Sequence, residues 1–158
     1  MRLARAIGLA CGLVAFALAL LSWAIASTGA ALGTDLGVSA VAAGELQVGP
    51  GPVLRANGLQ PGAAPATGVL RLRNIARVPL RVRMRALPST RALDGVLALT
   101  TRHAGRRIEL TRAWTARPFT LGVRESVALP LRARLLRPAQ GLIADVTLEV
   151  DAVAVTRP

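Results

Sequence analysis

Beyond residue 35 the apolar positions recur with period two. Leu80, Val82, Met84 and Ala86 alternate with Arg81, Arg83 and Arg85. Val127, Leu129, Leu131, Ala133 and Leu135 alternate in the same way with Arg132 and Arg134 on the other side, and Val146, Leu148, Val150, Ala152 and Ala154 alternate with Asp145, Thr147, Glu149 and Asp151. Successive strand side chains point to opposite faces, so each run predicts a strand with one buried and one wetted face. Further strands are expected at 45–48, 69–74, 96–101 and 107–114. Residues 38–43 are apolar without clear alternation and read as a first strand, an edge strand or a tether.

Turn-forming residues separate these runs at short intervals: Gly49-Pro50-Gly51-Pro52, Gln60-Pro61-Gly62, Val78-Pro79, Pro88-Ser89, Asp94-Gly95, Ala104-Gly105, Arg117-Pro118 and Arg137-Pro138. Such punctuation leaves room for short strands and little for helices. About seven antiparallel strands, each with one apolar face, must cover one another, which predicts an all-β, Ig-like or jelly-roll antiparallel β-sandwich.

The start of the chain follows another pattern. No charged side chain occurs from Ala6 to Thr34, and Arg2 and Arg5 precede that stretch. Basic residues ahead of an apolar run place the N-terminus inside and the remainder outside the membrane. The apolar core at 7–26 matches the ~20 residues that cross a bilayer as a helix. It ends in the small residues of Ala24-Ile25-Ala26-Ser27-Thr28-Gly29-Ala30-Ala31, which suit a signal peptidase after Ala26 or Ala31. Residues 1–31 are therefore a signal peptide or an N-terminal transmembrane anchor. Residues 32–48 form an N-terminal segment, and 49–158 the sandwich domain. Cys11, the only cysteine, lies too early in the run for a lipoprotein signal and reads as a small apolar residue. Without it the fold cannot rest on disulfides.

All twenty basic residues are arginine, a composition expected of a GC-rich genome. Removing 1–31 leaves eighteen arginines against eight acidic residues, a net charge of +10. Anionic partners are expected: wall polymers or lipid head groups ahead of nucleic acid, for which only Trp114 and Phe119 remain to stack on bases.

The order of the pieces carries a resemblance. An export segment leads through Gly33-Thr34-Asp35 to Ala42-Ala43-Gly44-Glu45-Leu46-Gln47-Val48. Leu59-Gln60-Pro61-Gly62, a strand Gly68-Val69-Leu70-Arg71-Leu72-Arg73-Asn74, and Val78-Pro79-Leu80-Arg81-Val82 follow. Phe119-Thr120-Leu121-Gly122 then leads into Ser126-Val127-Ala128-Leu129-Pro130-Leu131. Together these resemble the TasA/camelysin family of exported bacterial surface and biofilm-matrix proteins, whose members usually carry an aromatic-Ser-Asp where this chain has Gly33-Thr34-Asp35. The resemblance implies a secreted sandwich that works by assembly, with 32–48 donated as a strand to the next subunit and Val38, Val41 and Leu46 supplying the apolar side chains.

The camelysin name also carries an assigned metallopeptidase activity, against which the residues argue. A catalytic zinc usually takes three protein ligands with histidine prominent, and the single histidine, His103, reads as a surface residue in a turn. Ser126 lacks a nucleophile elbow and reads as a polar strand opener. The prolines of Gly49-Pro50-Gly51-Pro52 lack the N–H groups of a phosphate loop. Asp145, Glu149 and Asp151 share one strand face, where carboxylates ~6–7 Å apart suit cross-strand arginines better than a calcium cage. No catalytic, metal or cofactor site is expected. Arg71, Arg73, Arg81, Arg83 and Arg85 read as the solvated face of two neighbouring strands or as an anion-binding face. Trp114 reads as core, core rim or a partner anchor.

The expected function is that of an exported, non-catalytic surface or matrix protein, with self-association as one mode of work. The alternative is a membrane-anchored envelope domain that binds anionic wall polymer or a protein partner.

Overall fold

The computed structural model describes residues 33–139 and 143–155. The proposed export segment and its apolar helix lie outside them. Among the described residues no helix is long and apolar enough to cross a membrane.

Ten strands are described: β1 (Thr34–Ala42), β2 (Leu46–Val48), β3 (Leu54–Leu59), β4 (Ala66–Asn74), β5 (Leu80–Pro88), β6 (Leu97–His103), β7 (Arg106–Leu110), β8 (Phe119–Leu121), β9 (Ser126–Leu135) and β10 (Ile143–Ala154). A single 3-10 turn, Arg91–Leu93, separates β5 from β6. They form two five-stranded sheets, here the first sheet in the order β3-β1-β10-β5-β8 and the second in the order β2-β4-β9-β6-β7. The inward faces meet in a core of leucine, valine and alanine with one methionine, and Leu70, Val82, Leu121, Leu129, Leu131 and Leu148 are wholly buried. The all-β sandwich expected from the alternation is the observed architecture.

One pair departs from the antiparallel expectation. β1 runs parallel to β10, with Val38 opposite Val146, and antiparallel to β3 on its other side. It is therefore an interior strand, and Leu36 and Val38 lie in the core. Small residues on both faces (Gly37, Ser39, Ala40, Ala42) hide its alternation in the sequence.

The structure adds β3 and β8, which the alternation did not disclose. Asn57-Gly58 forms a bulge: Thr34 pairs Leu59 while Leu36 pairs Ala56, leaving one extra residue on β3. Gly58 takes a positive φ of 66°, and its N–H donates to Asp35 Oδ1 at 2.9 Å. Gly33 packs directly on this bulge, since a Cβ added to it would stand 2.3 Å from the Gly58 carbonyl carbon. The chain changes sheets just before β3. Val53 donates its N–H to the Val38 carbonyl in the first sheet (2.9 Å) and accepts from the Val69 N–H in the second (3.2 Å).

The strand expected at 107–114 ends at Leu110. The following residues leave the second sheet and cover the edge of β5 beyond β8: the Ala86 N–H donates to the Thr111 carbonyl (2.8 Å), and the Thr115 N–H to the Met84 carbonyl (2.9 Å). An otherwise open strand edge is thereby satisfied.

Asn74, wholly buried at the end of β4, ties two connections together. Its Nδ2 donates to the carbonyls of Val78 (2.9 Å) and Gly122 (2.8 Å), and its Oδ1 accepts from the Ala76 N–H (2.8 Å). One amide thus satisfies the chain between β4 and β5 and the chain between β8 and β9, where unpaired polar groups would be costly.

Candidate functional site

The two outer faces of the sandwich differ in charge. On the first sheet, Arg55, Arg81, Arg83 and Arg85 point outward together with Asp35, Asp145, Glu149 and Asp151, so the signs balance. Arg85 lies opposite Glu149, and Arg83 opposite Asp151. The Arg85 Nη2 reaches Glu149 Oε2 at 2.6 Å, and the Arg83 Nη2 reaches Asp151 Oδ2 at 2.8 Å. Of the cross-strand pairings expected for Asp145, Glu149 and Asp151, those of Glu149 and Asp151 are present, while Asp145 stands opposite Gly37 and makes no salt bridge among the described residues. Such partly exposed pairs contribute about 0.2–1 kcal/mol each.

Trp114 covers both arginines. Its ring centre is 4.7 Å from the Arg83 guanidinium carbon and 4.5 Å from that of Arg85. It stands in the loop after β7, half-buried, on the outside of the first sheet rather than at a strand end in the core. Beside it a shallow depression is lined by Val41, Trp114, Glu149 and Asp151.

The second sheet carries a positive excess instead. Arg71 and Arg73 (β4), Arg102 (β6), Arg107 (β7), and Arg132 and Arg134 (β9) all point outward and are exposed, with Glu109 the one acidic strand residue on that face. Glu109 stands 3.9 Å from Arg107, both side chains largely in solvent. Among the described residues the guanidinium groups of Arg71, Arg73, Arg102, Arg132 and Arg134 make no hydrogen bond or salt bridge. Two depressions mark this face. Arg102, Arg107 and Arg132 line one of about 220 Å³ with Thr100 and Pro130. Arg71 and Arg73 line the other, of about 410 Å³, with Gln47, Pro50, Ser126 and Ala128.

These placements correct the arginine stripe read from the sequence. β4 and β5 belong to different sheets, so Arg71 and Arg73 never share a face with Arg81, Arg83 and Arg85. Alternation identifies which side of a strand is wet, not which strands are neighbours. Arg71 and Arg73 instead share their face with Arg102, Arg107, Arg132 and Arg134, whose alternation was visible in β9 but whose company was not.

The assembly residues are also divided. Val38 is in the core within the first sheet, and Leu46 is buried in the second, where β2 pairs with β4. Val41 is 59% exposed on the outside of the first sheet. The segment 32–48, from Gly33 onward, is thus engaged within its own chain, not presented as a single apolar ribbon.

His103 is the last residue of β6, not part of the turn, and stacks on Phe119 with ring centres 4.3 Å apart. The turn itself is Ala104-Gly105, both at positive φ. Among the described residues no group of three or more His, Cys, Asp or Glu side chains is placed to hold a metal ion. Ser126 opens β9, exposed, as its neighbours suggested. No protein-family model matches the chain, and no curated protein matches it in sequence.

Proposed function

We propose that this chain is an exported, non-catalytic protein of the bacterial cell surface or extracellular matrix, working by contact through the faces of an Ig-like or jelly-roll sandwich. One observation carries the reading: the uncharged run at 6–34, behind Arg2 and Arg5, leads straight into a sandwich whose first strand opens at Thr34. Cleavage after Ala31 would leave two residues ahead of β1. The resemblance to the TasA/camelysin family supports the same assignment. A catalytic reading has little to rest on, because the chain carries a single histidine and Ser126 lies in no nucleophile elbow.

The second reading is an uncleaved envelope domain held at the membrane by its N-terminal helix, where it binds anionic wall polymer or a protein partner. The unpaired arginines of the second sheet favour that kind of partner. Self-association through the N-terminal segment takes the form of strand exchange, since β1 is terminal in the domain and a second copy offers the same β3 and β10 edges.

Intact mass of the protein from the medium and the membrane fraction of its host tests the reading. A species in the medium beginning at Ser27 or Leu32 is expected. Full-length chain confined to the membrane establishes the anchored reading, and full-length chain in the cytoplasm overturns both.

A further inference from the structure

We propose that the outer face of the second sheet is a docking surface for a linear polyanion of repeating phosphodiesters, of the cell-wall polymer class, with Arg102, Arg107 and Arg132 as its main phosphate site. The proposal rests on the envelope reading for the encounter, but its argument comes from the face itself.

The net charge of the domain is not spread evenly. The outer strand residues of the first sheet balance, whereas those of the second place six arginines against Glu109. Strands anchor these side chains on a rigid base, with the wholly buried Leu129, Leu131 and Ala133 of β9 beneath them. Five strands spaced ~4.8 Å apart make the face ~19 Å wide, enough to meet several charges of one polymer at once.

The choice of phosphate follows from donor number. Arg102, Arg107 and Arg132 line one depression with Thr100, whose outward position is set by its register opposite Arg132 and Glu109. A phosphodiester holds its two non-bridging oxygens on a tetrahedral phosphorus, where they can accept from planar guanidinium forks that approach from different sides. The second depression, with Arg71, Arg73, Gln47 and Ser126, lies across the same face and suits a neighbouring repeat. No aromatic side chain stands on the outward positions of these strands, so bases would find nothing to stack on, which disfavours single-stranded nucleic acid.

The test is equilibrium binding of the full chain, in mild non-ionic detergent, to purified poly(glycerol phosphate). The triple variant Arg102→Ser, Arg107→Ser, Arg132→Ser should weaken binding at least tenfold. The charge-matched triple Arg55→Ser, Arg81→Ser, Arg91→Ser should change it less than threefold. Replacing the first three by lysine, which keeps charge but loses the fork, should cost threefold or more. Should the triple fail to fold, Arg102→Ser and Arg132→Ser singly should each cost about threefold. Equal losses in the two serine triples would reduce the effect to net charge and overturn the proposal. So would no binding by the unaltered chain, or equally tight binding of polyglutamate or a single-stranded oligonucleotide. Loss of binding in a chain found outside the cell sinks this proposal alone, and binding by a chain retained in the cytoplasm sinks the export reading alone.

Discussion

The Arg85 guanidinium carbon sits 4.5 Å from the centre of the Trp114 ring while the same group holds Glu149 at 2.6 Å. One side chain thus joins β5 to β10 and pins the loop after β7 onto the outside of the first sheet. With Arg83 bound in parallel to Asp151 and to the same ring, these two cations of the first sheet are committed to its own structure.

Removing the ring should therefore be felt as stability. Trp114→Ala is expected to cost about 1–2 kcal/mol, from two cation–π contacts of ~0.5–1 kcal/mol each together with lost packing. A double-mutant cycle with Arg85→Met, read by urea unfolding, should return a coupling of about 0.5–1 kcal/mol. A coupling indistinguishable from zero would show the contact to be incidental.

Asn74 should be far less replaceable. Asn74→Ala leaves the Val78 and Gly122 carbonyls and the Ala76 N–H without their partner, an expected loss of about 2–4 kcal/mol. Asn74→Asp should be at least as damaging, because a carboxylate cannot donate to those carbonyls. Thermal unfolding of both variants checks this, and a near-native midpoint for the aspartate variant would contradict it.

The same two regions show how far the sequence could be read. Strict alternation located β5, β9 and β10, because a leucine or valine on every second position has no other economical use. Asn74 was visible as the end of a strand, but its three partners come from residues up to 48 positions away. The two outer faces were illegible for a related reason: alternation sorts inside from outside within one strand, while sheet order decides which arginines become neighbours. Trp114 was misplaced because β7 stops at Leu110, where the edge of β5 needs covering and β7's own apolar pattern has already ended.

Gly33 and Gly68 should tolerate no side chain. At Gly68 a Cβ would come 2.2 Å from the Val53 carbonyl oxygen, and at Gly33 2.3 Å from the Gly58 backbone. Each change to alanine is expected to cost about 1–3 kcal/mol through backbone displacement. Chemical denaturation of the two variants measures it, and midpoints equal to the parent's would show that both close approaches relax freely.

The pairing of β1 can be read by cross-linking. Ser39 and Thr147 face each other across the parallel β1–β10 ladder. With Cys11→Ser as background, Ser39→Cys and Thr147→Cys should oxidise within one chain, giving a monomer of altered mobility in non-reducing electrophoresis. A ladder of covalent oligomers would show instead that β1 is exchanged between copies.

The most direct test of the whole account is labelling of single cysteines in intact cells with a membrane-impermeant maleimide, before and after the wall polymer is stripped. Ala128→Cys reports the arginine face and Ser39→Cys the balanced one, both in the Cys11→Ser background. The account predicts that Ser39→Cys labels in intact cells throughout, while Ala128→Cys is protected until the polymer is removed. Labelling of either only after lysis would contradict export, and equal labelling of both with the polymer in place would contradict a docking face on the second sheet.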